Sequence, residues 1–163
     1  MRRYGAPTAV CILLMLTVSP ALGGQAPDVP GQVDRAVRLL LSPGTNDEEC
    51  KDGLVSLLDA IIGAAPTSRL AGTWPAKVAA ARDLAASGRF LADDTVALLN
   101  DSYRAVHGKP FLVPPTVRSM PEARAYIRGQ LSSVRSLLGQ GRADEAVRRM
   151  LEAVVMIVTP LQG

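Results

Sequence analysis

The chain is poor in the residues from which most enzymes and metal proteins are built. Its 163 residues include one histidine (His107), two cysteines and six aromatic side chains. No group of His, Cys, Asp and Glu has zinc spacing, and there is no Cys-x-x-Cys-His haem attachment. A di-iron site in a helical bundle wants Glu-x-x-His pairs, and none is present. Phosphate loops and dinucleotide fingerprints are also missing. Asp47, Glu48, Glu49 and Asp52 lack the glycine and ligand spacing of a calcium loop, and read instead as an acidic helix start. A hydrolytic triad would have to use His107 as its base, and nothing marks a serine for it. The sequence therefore assigns no catalytic residue, no cofactor-binding residue and no metal ligand.

What is present begins with a leader. Arg2 and Arg3 precede an apolar run over residues 9–18, and small residues Ala21 and Gly23 follow. This is a secretory signal pattern with cleavage expected after Gly23. The run is about half of the roughly 20 apolar residues that a spanning helix needs, so no stable membrane span is expected after cleavage. The expected organisation is a signal peptide over residues 1–23, a flexible lead-in over 24–32, rich in Gly and Pro, and one helical domain over 33–163. The protein is expected to be secreted or periplasmic. Only Cys50 remains after cleavage, so no internal disulfide is possible and the core must hold the fold. Oligomeric state is not legible in the sequence.

The domain reads as all-α. Apolar residues recur at steps of three and four in six segments, separated by Pro and Gly breaks. The first helix runs from Val33 to Ser42. The second starts at Asn46 or Asp47 and carries the stripe Cys50, Leu54, Leu57, Leu58, Ile61. Pro75 opens the third, beside Trp74, the only tryptophan. Asp93 or Asp94 caps the fourth, which carries Val96, Leu99, Tyr103 and Val106. Pro110, Pro114 and Pro115 then make a stiff crossover, with Phe111 and Leu112 expected on the core. The fifth helix, from Met120 to Leu138, carries Met120, Ala123, Ile127, Leu131, Val134 and Leu138. The sixth, from Ala143 to Val158, has an apolar second half that suits an enclosed helix. Pairing neighbours gives a compact six-helix domain of three antiparallel hairpins, over residues 32–65, 75–107 and 120–159. Helical-repeat-like stacking is the alternative arrangement.

Gly141, Arg142, Ala143, Asp144, Glu145, Ala146 and Val147, followed by Met150 and Ala153, resemble the second helix of a tetratricopeptide repeat. The preceding helix departs from that pattern: Gln130, Ser133 and Val134 stand where the repeat has an aromatic, a leucine and a small residue. The likeness covers one helix of six, and no family is assigned from it.

Charge is uneven. Residues 24–101 carry 7 basic and 11 acidic side chains, and residues 102–163 carry 9 and 4. The near-neutral total removes the compositional case for nucleic-acid binding. On the fifth helix Arg124, Arg128 and Arg135 fall within about 40° of one another, at the edge of the apolar stripe. They form a candidate rim for an anion or an acidic partner; the competing structural role is pairing with acids of the first half. The function expected first is an exported non-catalytic accessory or protein-interaction module. The alternative is a binding protein for a small apolar or anionic ligand held between hairpins, and an enzyme ranks last. A deep apolar pocket beside the arginines would favour a ligand, and a broad apolar patch a protein partner. A polar cleft gathering His107 with carboxylates would favour an enzyme.

Overall fold

The computed structural model describes residues 28–161. The expected signal peptide and residues 24–27 of the lead-in lie outside the described residues. Within them the protein is a compact all-helical bundle with no strand. The segments are α1 (Val29–Leu41), α2 (Asp47–Ala64), α3 (Trp74–Ala86), α4 (Asp93–His107), α5 (Met120–Ser132), α6 (Val134–Gly139) and α7 (Ala143–Val158). The segments α5 and α6 are two arms of the fifth predicted helix, so the six-helix reading holds with one break. The break falls at Ser133. Serines compete for backbone hydrogen bonds and weaken a helix interior; Ser132 donates to the Gly129 carbonyl at 3.0 Å.

Local chemistry sets the helix ends. α1 begins at Val29, four residues earlier than its apolar stripe suggested. The Asp28 carboxylate accepts from the Gly31 N–H at 3.1 Å, and Pro30 occupies the first turn, where a missing N–H costs nothing. Asn46 makes a reciprocal capping box with Glu49 at the start of α2. The fourth helix differs from expectation. Its cap is Ala92, without a side-chain bond, because Asp94 is engaged with Arg89 at 2.9 Å and with the Thr95 N–H. Ser119 caps α5, with Pro121 in its first turn. Gly108 ends α4 in the left-handed conformation, at φ 74°, a geometry that a side chain would strain.

Packing follows the three hairpins: α1 with α2, α3 with α4, and α5 and α6 with α7. The helix α7 also packs on α2 and α4, which places it centrally. Its Met150, Leu151, Val154 and Val155 are wholly buried, as an apolar helix in the middle of a bundle should be. Trp74 is buried at the entry of α3, and its indole N–H donates to the Leu70 carbonyl at 3.4 Å. Two residues expected in the core are outside it. Leu112 is 79% exposed and Met120 58% exposed. In the crossover Phe111 packs against the core as expected, and Val117 is buried where Leu112 is not. Met120 opens α5, beyond the end of the stripe that Ala123, Ile127 and Leu131 bury.

Candidate functional site

Two features stand out from the packed bundle. The first is a groove of about 690 Å³ where the end of α1, the start of α2, the start of α5 and the end of α7 meet. Its wall is mostly apolar: Leu40 from α1, Ala123 and Ile127 from α5, and Met156 and Ile157 from α7. Leu91 and Met120, both more than half exposed, also line it. The volume lies in the usual range for small-molecule sites, about 300–1,000 Å³. Arg124 and Asp47 supply its charged groups. Cys50 lines it as well and is half-buried, not enclosed as its position on the α2 stripe implied. Burial first, and the neighbouring Asp47 carboxylate second, push its thiol pKa up, so the thiol is kept protonated and a weak nucleophile. A second cavity of about 630 Å³ lies under the proline-rich crossover. Thr159, Pro160 and Leu161 border both cavities, and the exposed Leu112 lines the second.

The three predicted rim arginines divide. Arg124 lines the groove. Arg128 is exposed, and neither it nor Arg124 has an acidic partner among the described residues. Arg135 pairs with Asp34 of α1 at 2.5 Å. That contact takes the structural role foreseen for the rim, joining a second-half arginine to a first-half acid. Both partners are more than half exposed, so the pair contributes little.

The second feature was not foreseen. Glu152, on α7, receives hydrogen bonds from both tyrosines of the described residues: Tyr103 Oη of α4 donates to Oε2 at 2.9 Å, and Tyr126 Oη of α5 donates to Oε1 at 2.5 Å. His107 lies one turn beyond Tyr103, with the two rings stacked at 3.8 Å. Its Nε2 is 3.5 Å from Glu152 Oε2, and its Nδ1 is 3.2 Å from the Tyr103 carbonyl. A carbonyl only accepts, so Nδ1 carries a proton in this contact, and Nε2 faces the carboxylate. Burial, the largest cause, lowers the His107 pKa, outweighing the Tyr103 carbonyl and Glu152, while Arg148 and Lys109 lower it further. Burial and the bonds to Glu152 push both phenols well above their usual value of 10. One signal in the sequence pointed here: Glu152 is the single acid within the apolar run of α7, and a carboxylate in an enclosed helix requires polar partners.

This cluster clamps α4 and α5 to α7. Its layout differs from that of a hydrolytic triad. In a triad the carboxylate orients Nδ1–H and leaves Nε2 for the nucleophile; here backbone faces Nδ1 and the carboxylate faces Nε2. Glu152 lines neither cavity. Among the described residues no group of three His, Cys, Asp or Glu side chains is placed to hold a metal, and no helix is long and apolar enough to cross a membrane. No protein-family model, curated protein or solved structure matches the chain.

Proposed function

We propose that this is an exported, non-catalytic protein that binds a small, largely apolar ligand in the groove between α1, α2, α5 and α7. The observation that carries the reading is the groove itself, an apolar cavity of ligand size with Arg124 in its wall. Buried apolar area supplies affinity in such sites, and a few polar groups orient the ligand. The engagement of His107 Nδ1 by the Tyr103 carbonyl and the raised thiol pKa of Cys50 support the non-catalytic part. Export rests on the pattern of residues 1–23, and N-terminal sequencing of the exported protein should begin at Gly24.

The test is a titration with Nile red, a neutral apolar dye. Saturable enhancement with one site per chain is expected. Met120→Trp and Ile157→Trp, at groove-lining positions outside the fully buried core, each fill the groove and should abolish it while helicity and melting temperature are retained. Enhancement that persists in both filled variants would overturn the reading. A protein-interaction role is the second reading, favoured by the exposure of Leu91, Leu112 and Met120 around the two cavities. In that case Leu112→Ser would lose partner binding and leave dye binding intact.

A further inference from the structure

The charge around the groove identifies the class of ligand. The register of α1 against the fifth helix follows from two contacts: Asp34 meets Arg135, and Leu40 shares the groove wall with Ala123, Arg124 and Ile127. The two helices therefore run antiparallel. Asp34 is already taken by Arg135. The four acids of residues 102–163 are engaged elsewhere. Glu122 accepts from the Arg118 N–H, Asp144 from Ser68 and Arg69, Glu145 pairs with Arg142 and Arg149, and Glu152 holds the tyrosines. Arg124, half-buried in the groove wall, and Arg128, exposed one turn further along α5, are left with no acidic partner among the described residues. The opposing charge in the groove is Asp47, on the separate α2 wall, and it is exposed to water where Arg124 is half-buried.

From this asymmetry we infer that the ligand is a free single-chain carboxylic acid. Its chain lies against Leu40, Ile127 and Ile157, and its carboxylate lies on the Arg124 and Arg128 side, away from Asp47. The inference rests on the ligand-binding reading above and adds the head group. Arg124 is half-buried, so its attraction for a carboxylate is screened less than that of an exposed pair. Hydrogen bonds between ions are about twice as strong as neutral ones. Decanoate should therefore bind about tenfold or more tighter than decanol, roughly 1.4 kcal/mol, with the advantage shrinking as salt rises.

The test is calorimetric titration of the folded protein with monomeric decanoate, decanol and decyltrimethylammonium at neutral pH. Decanoate is expected to bind tightest, and Arg124→Gln with Arg128→Gln should bring it to the level of decanol while decanol binding is unchanged. Equal binding of acid and alcohol, or preference for the cation, overturns the inference and leaves the ligand-binding reading standing. Failure of all three to bind overturns both. Binding to anionic phospholipid vesicles without binding of decanoate also overturns the inference, since it would assign Arg124 and Arg128 to a membrane surface.

Discussion

Replacing Glu152 by alanine tests the clamp that holds α4 and α5 on α7. The change strands two phenol hydroxyls. Tyr103 is only 3% exposed, so its hydroxyl has little water to turn to. A hydrogen bond to a charged group is worth about 1.5–3 kcal/mol, and an unsatisfied buried group costs about 1–3 kcal/mol. Partial hydration at Tyr126, the more exposed of the two rings, reduces the sum. Relief of the half-buried carboxylate's own desolvation reduces it again. Glu152→Ala should then cost about 2–4 kcal/mol. For a domain of this length that is a fall of roughly 6–16 °C in melting temperature. Glu152→Gln keeps one acceptor and should cost about half as much. Urea unfolding followed by Trp74 fluorescence is the assay, because the indole is buried and single. Tyr103→Phe and Tyr126→Phe complete a double-mutant cycle, and each should couple to Glu152. If Glu152→Ala costs less than about 0.5 kcal/mol, the level of an ordinary surface change, the clamp does not exist.

The same cluster predicts two pH limits with opposite signs. The raised phenol pKa values favour the protonated folded form, so their stabilisation is complete below the usual value of 10 and is lost as pH rises through the folded values; phenolate absorbance in a chain lacking residues 1–23 should appear only together with unfolding. The lowered His107 pKa favours the neutral ring, so its contribution is complete above 6.5 and is lost as pH falls through the folded value; His107→Gln should flatten that part of the stability curve. Leu131, 3% exposed on α5, should cost about 2–5 kcal/mol on change to alanine, whereas exposed Arg128→Ala should stay within about 0.5 kcal/mol in thermal unfolding. Cys50 should react with thiol reagents slowly in the folded protein, more slowly still with decanoate bound, and quickly in denaturant.

The helices were legible because burial imposes its period on the sequence: Leu54, Leu57, Leu58 and Ile61 lie on one face of α2, and all four are fully buried. Capping was legible where the side chain had no competitor, as at Asn46, and misleading where it had one, as at Asp94. The groove was not legible. It arises where four helix ends fail to meet, and end-to-end spacing depends on packing between segments far apart in the chain. For the same reason the arginine set was correct as a face of one helix and incomplete as a site. Of its three members Arg124 lines the groove, Arg128 is exposed beyond it and Arg135 is paired with Asp34, while Asp47 of α2 supplies the groove's other charge. The Glu152 cluster joins three helices whose contributing residues lie 26 and 49 positions from the carboxylate. Periodicity marks each helix but does not say which polar residues will face one another.

The central claim is that the groove between α1, α2, α5 and α7 is the binding site. Amide NMR of the folded protein during titration with decanoate tests it most directly. Saturable shifts confined to residues around Leu40, Cys50, Ala123, Arg124 and Ile157 are predicted, with the amides around Tyr103 and Glu152 unmoved. Shifts centred on the Glu152 cluster, or spread over the surface without saturation, would contradict it.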